Sequence, residues 1–297
     1  MNTAKNPKNP QGQNKNLPLY KAIVRAIPDM LFRVNGDGTY IEYIHEDNEN
    51  LLVSPEEFIG KKIMDIMPEQ HSPNMMECVE NALLTGKLQI YEYSLAIKGE
   101  HKSFEARFVS YDDNEVLSIV RDITDQKILE EDLHHLAHYD SLTGLPNRVL
   151  FFERLEHAID IAKRNRYQIV VMMIDTDDFK NINDSYGHEA GDIVLQEIAR
   201  RLSSSVRKSD TVARLGGDEM GVILENIEND LVPKIIAEKI SSAFSSPIQV
   251  NGDAFRISVS IGISISAGDK DTKTMLKNAD QAMYQVKNSV KGGYRIY

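Results

Sequence analysis

The 297-residue sequence has one cysteine, no tryptophan and no long apolar run. The single cysteine, Cys78, excludes a disulfide within the chain and gives no sign of an oxidising compartment. No apolar segment approaches the roughly 18 residues that a membrane-spanning helix needs, so we expect a cytoplasmic protein without a membrane span. Positive charge is also scarce: 34 lysines and arginines stand against 45 acidic residues, a net charge of −11, which argues against a nucleic-acid partner.

The first part of the chain alternates short β-rich runs with turns. Residues 1–17 are polar, lack the apolar core of a secretory signal, and are predicted to form a disordered tail. Two apolar runs then flank the sequence NGDG at 35–38, which predicts a tight hairpin because these residues tolerate positive φ. Short helices and further strands are predicted at 54–60, 74–86, 88–97, 101–111 and 116–123. A domain over 18–123 built on an antiparallel sheet follows.

A charged segment, residues 124–138, joins this domain to the rest of the chain. Its Leu129, Leu133 and Leu136 are spaced by four and three residues, as on one stripe of a helix. The segment is therefore predicted to be a linker helix. It could pack on its own domain or pair two chains as a short coiled coil, and the sequence leaves both open.

Residues 139–297 alternate between helices and strands, which predicts a central sheet packed by helices and an α+β chain overall. Asp175 ends the apolar run IVVMMID, while Asp218 and Glu219 follow the Gly-Gly pair of RLGGDEM. Carboxylates at the ends of neighbouring strands suit Mg²⁺, particularly when a triphosphate completes its coordination. Taken alone, however, a turn of this kind is more often an acidic surface turn.

Four motifs resolve that ambiguity, since they occur in the order and spacing of one family: SLTGLPNR (141–148), IDTDDFKNINDSYGHEAGD (174–192), RLGGDEM (214–220) and ADQAMYQVK (279–287). Residues 139–297 thereby resemble the GGDEF family of diguanylate cyclases. The opening IPDMLFRVNGDGTYIEY and closing VRDITDQK of the first domain resemble a PAS sensor domain. The two resemblances imply a five-stranded antiparallel PAS fold, and a GGDEF fold like that of nucleotidyl cyclases and polymerase palms.

The GGDEF resemblance also implies an activity and a set of site residues. The activity is the condensation of two GTP molecules into cyclic di-GMP by a homodimer that uses Mg²⁺ or Mn²⁺, with Asp218 and Glu219 as catalytic carboxylates and Asp218 as the base. The implied metal-binding residues are Asp175, Thr176 through its carbonyl, Asp218 and Glu219. The implied substrate-binding residues are Phe179, Lys180, Asn183, Asp192, Gly216, Gly217, Lys287 and Lys291. Asn183 and Asp192 would hydrogen-bond guanine, and the lysines would contact phosphates.

A second implied site would bind the product and inhibit the enzyme. Arg207 and Asp210 form an Arg-x-x-Asp pattern five residues before the first glycine of the turn, and Arg214 would add a contact. The alternative interpretation is a solvated loop whose Arg207 and Asp210 form an ion pair.

The sequence departs from the family at two positions. Met220 stands where phenylalanine is usual, which we interpret as a packing change, and Lys291 replaces an arginine, which loses the planar guanidinium fork. These departures leave a second function open: a catalytically silent GGDEF domain that acts as a receptor or scaffold for GTP or cyclic di-GMP. The sequence does not identify a ligand for the PAS domain.

Overall fold

A computed structural model describes residues 22, 26–44, 50–250, 253–289 and 291–297. The tail predicted for residues 1–17 lies outside the described residues. The chain divides into two compact units, one up to Glu131 and the other from Asp132. Nowhere in the described ranges is a helix both long enough and apolar enough to cross a membrane.

The N-terminal unit is built on five antiparallel strands, in the sheet order β2-β1-β5-β4-β3. Its strands are β1 (Met30–Asn35), β2 (Tyr40–Tyr43), β3 (Gln89–Ile97), β4 (Glu100–Asp112) and β5 (Glu115–Asp122). Its helices are α1 (Pro55–Phe58), α2 (Ile63–Ile66) and α3 (Ser72–Thr85). The predicted five-stranded antiparallel PAS sheet with short helices is thus confirmed.

Local sequence explains the ends of these elements. The NGDG turn joins β1 to β2, and the Asn35 side chain accepts the backbone N–H of Thr39 at 3.0 Å. Pro55 opens α1, and Gly86 ends α3 in the left-handed conformation, with φ of 65°.

The helices cover an apolar core that encloses a cavity of about 60 Å³. Aromatic side chains line it, including those of Phe32, Tyr40, Phe58, Tyr93 and Phe104. Burial raises the pKa of the Tyr40 and Tyr93 hydroxyls.

The predicted linker helix is observed as α4 (Thr124–His138), and it crosses the boundary between the units. None of its residues is buried. Leu129, Leu133 and Leu136 are 59%, 58% and 65% exposed, so the residues that the structure describes do not cover the predicted stripe. Packing of the stripe on its own domain is therefore not observed.

The C-terminal unit is built on a mixed five-stranded sheet in the order β12-β11-β6-β8-β7. Its strands are β6 (Gln168–Thr176), β7 (Thr211–Gly216), β8 (Glu219–Ile227), β11 (Val259–Ser266) and β12 (Gly293–Ile296), and β9 (Ile248–Val250) and β10 (Asp253–Phe255) form a separate ribbon. Its helices are α5 (Arg148–Asn165), α6 (Phe179–Tyr186), α7 (His188–Ser205), α8 (Val232–Ala243) and α9 (Thr272–Ser289). Only β12 runs parallel to its neighbour in this sheet.

The central strand β6 is apolar from Ile169 to Ile174, and helices cover both faces of the sheet there. Val170, Met172 and Ile174 pack into the core with α6, α7 and α8. The alternate residues of β6 pack with α5 and α9 in a second core. The β-rich run FRISVSIGISI (255–265), which the sequence predicts to be one strand, is interrupted. Phe255 ends β10, which pairs with β9, residues 256–258 belong to neither strand, and only Val259 onward joins the main sheet.

Candidate active site

Acidic side chains meet at one edge of the C-terminal sheet. Strand β6 ends there and its antiparallel neighbours β8 and β11 begin there, so Asp175 faces Glu219 on one side and Ser260 on the other. Asp218 precedes β8 directly. Sheet register, rather than proximity in sequence, therefore brings together the predicted carboxylates.

The Gly-Gly turn shapes this edge. Gly216 and Gly217 have φ angles of 150° and 55°, which residues with a Cβ rarely adopt. No atom lies within 4 Å of a Cβ added to either residue, so the turn leaves open space above the backbone. Met220 follows in β8 and is fully buried in the core, which agrees with its interpretation as a packing residue.

The charges at this edge are unbalanced. Burial first, and then the nearby Asp175 carboxylate, raise the pKa of Asp218 above its ordinary value. Asp175 is itself only 6% exposed. Its Oδ1 lies 2.5 Å from Nζ of Lys287, which projects from α9, so the structure joins a predicted metal ligand to a predicted phosphate-binding lysine.

This donor set fits a divalent cation. Asp175 already holds one cationic group, and the mutual repulsion of Asp175 and Asp218 would be relieved by another. Within the described ranges, however, no three acidic, histidine or cysteine side chains converge as a ready-made metal centre. A cation here would therefore need further oxygen ligands, of the kind that a nucleotide triphosphate brings.

The two residues predicted to bind guanine lie on neighbouring helices, α6 and α7. Asn183 is partly buried and Asp192 is exposed. Gly191, just before Asp192, makes their proximity sterically feasible: a Cβ built on it would lie 1.9 Å from Asn183 Oδ1 and 3.2 Å from the Phe179 ring. Lys180 is exposed on the short helix α6, which also carries Asn183. A polar surface thus lies beside the acidic edge.

Lys291, the departure from the family pattern, also has an acidic partner. Its Nζ donates to Asp178 Oδ1 at 2.7 Å, and this hydrogen bond raises the lysine pKa. Asp178 lies in the left-handed conformation, with φ of 58°, at the bend between β6 and α6. Lys287 and Lys291 thus each pair with one aspartate of the segment that ends β6, Lys287 with Asp175 and Lys291 with Asp178.

Arg214 braces the Gly-Gly turn. Its Nε donates to the carbonyl of Gly217 at 2.9 Å, and its Nη1 donates to both carboxylate oxygens of Asp140 at 3.0 and 3.1 Å. Burial raises the pKa of Asp140, but hydrogen bonds from Thr143 and Arg214 outweigh it and hold the pKa below its usual value. In this arrangement the guanidinium predicted to contact product is directed to the protein.

Hydrogen bonds to the Arg207 backbone, rather than the ion pair of the alternative interpretation, hold the Arg207–Asp210 loop. The Asp210 carboxylate accepts the backbone N–H of Arg207 at 2.9 Å, and the Asp210 N–H donates to the Arg207 carbonyl at 3.0 Å. The Arg207 side chain is exposed, and no ion pair to it occurs in the described part of the chain. Its guanidinium is therefore accessible to a ligand.

Sequence reasoning assigned no role to Asp140, Asp177 or Gly191, although all three are adjacent to or within quoted motifs. Asp177 is buried and accepts hydroxyl hydrogen bonds from Ser258 and Ser260. The signal for it in the sequence was its position two residues beyond Asp175. Asp140 and Gly191 gave no comparable signal, because their partners are distant in sequence or revealed only by steric fit.

Comparison with known proteins identifies two families. The pattern of the family described as "Diguanylate cyclase, GGDEF domain" matches residues 137–292, and that of the family described as "PAS fold" matches residues 24–128. Diguanylate cyclase TpbB of Pseudomonas aeruginosa is 43% identical over 166 residues, which are 55% of this chain and 38% of TpbB. The chain spans less than half the length of these curated relatives.

Solved structures agree with the fold. A GGDEF domain of TpbB from Pseudomonas aeruginosa has a TM-score of 0.52 and 43% identity, over 54% of this chain and 94% of that one. The GGDEF domain of DgcB from Caulobacter crescentus, solved in complex with c-di-GMP, has a TM-score of 0.51 and 26% identity, over 54% of this chain and 93% of that one.

Proposed function

The chain belongs to the GGDEF family, and from this premise we propose that its C-terminal unit is a diguanylate cyclase that condenses two GTP molecules into cyclic di-GMP. The observation that carries the proposal is the acidic edge, where Asp175, Asp218 and Glu219 adjoin a Gly-Gly turn with open space above it. The name of the relative TpbB supports the same activity.

We assign Mg²⁺, or Mn²⁺, to this edge. Asp175, Asp218, Glu219 and the backbone carbonyl of Thr176 would hold it. When bound, the cation would supply neutralisation of the triphosphate charge and of the departing pyrophosphate. Lys287 already lies against Asp175, and its ammonium group would contact both this carboxylate and the triphosphate.

GTP would lie across the acidic edge and helices α6 and α7. Asp192 would accept hydrogen bonds from guanine N1–H and the exocyclic amine, and Asn183 would complete recognition of that edge. The phosphates would lie against the backbone of Phe179, Gly216 and Gly217 and against Lys180, Lys287 and Lys291. Adenine offers no matching pair of donors, so it would leave the Asp192 carboxylate unpaired.

The reaction joins the nucleotides through their sugars and α-phosphates. The 3′-oxygen of one GTP attacks the α-phosphorus of the other, the bond from that phosphorus to the pyrophosphate oxygen breaks, and the 3′-hydroxyl proton is taken up by Asp218. A second, identical attack closes the ring and releases the second pyrophosphate.

One C-terminal unit provides one nucleotide site, so the reaction requires two units that face each other, as in a homodimer. The PAS domain and the exposed stripe of α4 would control that meeting. Product would inhibit at Arg207 and Asp210, with Arg214 as a further contact once its bond to Asp140 is given up. Because GTP is an intracellular nucleotide, a cytoplasmic location accompanies this proposal.

The proposal is tested by offering the full chain GTP or ATP with Mg²⁺ and identifying products by mass spectrometry. We expect cyclic di-GMP from GTP and no cyclic dinucleotide from ATP. Equal turnover of ATP would contradict the guanine site. Tight GTP binding without product would instead support the silent receptor, an alternative favoured by the absence of a ready-made metal centre in the described ranges.

A further inference from the structure

Asp177 carries a buried negative charge that the proposed reaction does not use. The residue is 7% exposed, and among the described residues no lysine, arginine or histidine forms an ion pair with it. A buried carboxylate is costly unless its oxygens are hydrogen-bonded. Here Oδ1 accepts the hydroxyl of Ser260 at 2.7 Å and Oδ2 accepts that of Ser258 at 2.5 Å. Both serines therefore donate their single hydroxyl proton to the same carboxylate.

These contacts fasten the end of β6 to the start of β11. The Asp177 N–H also donates to the Ser258 carbonyl at 3.0 Å, which adds a backbone bond to the two side-chain bonds. Immediately afterwards the chain bends at Asp178, whose φ of 58° is unfavourable for a residue with a side chain. The strand end would otherwise fray at this bend, and the three bonds oppose that fraying.

The fastening acts where the metal-binding groups are proposed. Ser260 is the register partner of Asp175, and Val259 is the register partner of Thr176. The serine that faces Asp175 across the sheet is thus the serine whose hydroxyl Asp177 holds. Any shift of β11 relative to the end of β6 would move the Asp175 carboxylate and the Thr176 carbonyl together.

We propose that Asp177 is a positioning residue which, with Ser258 and Ser260, forms a carboxylate–hydroxyl clamp that holds Asp175 and Thr176 in place for a divalent cation. The inference rests on the proposed function, because that function gives Asp175 and Thr176 their metal. Asp177 acts through these neighbours and is not itself a metal ligand. Groups that orient metal ligands typically change metal affinity by about 10- to 100-fold when removed.

The clamp predicts a specific pattern among variants. Asp177→Ala and the double variant Ser258→Ala/Ser260→Ala should each weaken Mn²⁺ binding by about 10- to 100-fold. Asp177→Asn should weaken it by less than about tenfold, since an amide can accept from one serine and donate to the other. Combining Asp177→Ala with both serine changes should add little, because the same contacts are already lost.

Ser264→Ala is the matched control. Ser264 lies on the same strand and is 1% exposed, but its hydroxyl has no hydrogen-bond partner in the described structure. Its removal should leave Mn²⁺ binding unchanged. Circular dichroism and thermal unfolding of each full-length variant would show whether the fold is retained, and Ser260→Ala alone provides a milder change should a double variant unfold.

The measurement is Mn²⁺ binding to the full chain, monitored through the electron paramagnetic resonance signal of free Mn²⁺. A GTP analogue that carries a methylene bridge between its α- and β-phosphates is present throughout. Equal losses for Asp177→Asn and Asp177→Ala would make Asp177 a direct ligand and overturn the proposal. Unchanged binding by the double serine variant would also overturn it. A parent chain that binds Mn²⁺ with the expected variant pattern, yet makes no cyclic di-GMP from GTP, would refute the proposed function and leave the clamp standing.

Discussion

At the scale of single residues, Asp218 shows the conflict between stability and the proposed chemistry. Burial and the neighbouring Asp175 raise its pKa, so its ionised form is less favourable in the folded chain than in the unfolded one. The associated stability is fully present below the ordinary aspartate pKa, near 4, and is lost as the pH rises through the raised value. A neutral side chain at this position does not ionise, so the folded chain would not lose this stability as the pH rises.

We therefore expect Asp218→Asn to raise the thermal unfolding temperature at pH 7 in the presence of a chelator, and the gain to vanish below about pH 4. The same change should lower cyclic di-GMP formation by at least about a hundredfold, since a metal ligand and base is lost. Asp184→Asn, at an exposed site on α6, is the control for removing one negative charge. An unfolding temperature at pH 7 equal to the parent's would contradict the unfavourable charge.

Gly191 illustrates a residue whose role follows from space alone. A methyl group there would overlap Asn183 Oδ1, which lies 1.9 Å from the Cβ position, and would displace the amide proposed to bind guanine. We expect Gly191→Ala to raise the KM for GTP by about tenfold or more, with a smaller effect on kcat. Steady-state kinetics would measure both constants.

Gly293→Ala is the appropriate comparison, because a Cβ at that position meets no atom within 4 Å. Similar KM values for the parent, Gly191→Ala and Gly293→Ala would show that Asn183 tolerates displacement, and would remove it from the guanine site.

At the scale of elements, Arg214 connects the Gly-Gly turn to the segment that follows the linker helix. Its partner Asp140 lies just beyond α4, and Asn147 donates to the carbonyls of Ala137 and His138 at 2.8 Å. The Arg214–Asp140 pair is mostly buried, with side chains 15% and 21% exposed, so loss of either partner leaves the other without its opposite charge, with Asp140 held by Thr143 alone and Arg214 by the Gly217 carbonyl alone. The position of the turn thus depends on this pair.

Arg214→Gln and Asp140→Asn should each lower kcat by about 10- to 100-fold, because small displacements of reacting groups are costly, and the double variant should lose little more. Initial rates before product accumulates would measure this. If Arg214 served only as a product contact, its variant would keep the parent's initial rate and lose only inhibition. Losses that multiply in the double variant would contradict a shared contact.

Most elements could be predicted because their signals are local. The leucine spacing predicts α4 and the apolar run IVVMMID predicts β6, while Pro55 and Gly86 stand at helix ends. The break between β10 and β11 was missed, since both pieces have the same β-rich composition and only the partner strand distinguishes them. Partners were equally hidden at the site. The bonds from Asp177 to Ser258 and from Arg214 to Asp140 span 81 and 74 residues, and no local pattern encodes such pairings.

At the scale of the whole molecule, the chain carries two units joined by a helix with an exposed leucine stripe. The two-domain order was recoverable because each unit has its own motifs and its own core. A ligand of the N-terminal cavity could not be predicted from the sequence, since the cavity lining is aromatic and aliphatic with few polar groups. The arrangement suits a sensor that governs how two catalytic units meet, as proposed above.

Product stoichiometry would decide whether the C-terminal unit performs this condensation. We expect the full chain, supplied with GTP and Mg²⁺, to release two pyrophosphates for each cyclic di-GMP formed, as measured by coupled phosphate detection and mass spectrometry. Chelation of the metal or Asp175→Ala should abolish both products, while Asp184→Ala should retain them. Pyrophosphate or phosphate released without cyclic di-GMP, or cyclic di-GMP formed at the parent's rate by Asp175→Ala, would contradict the proposed function.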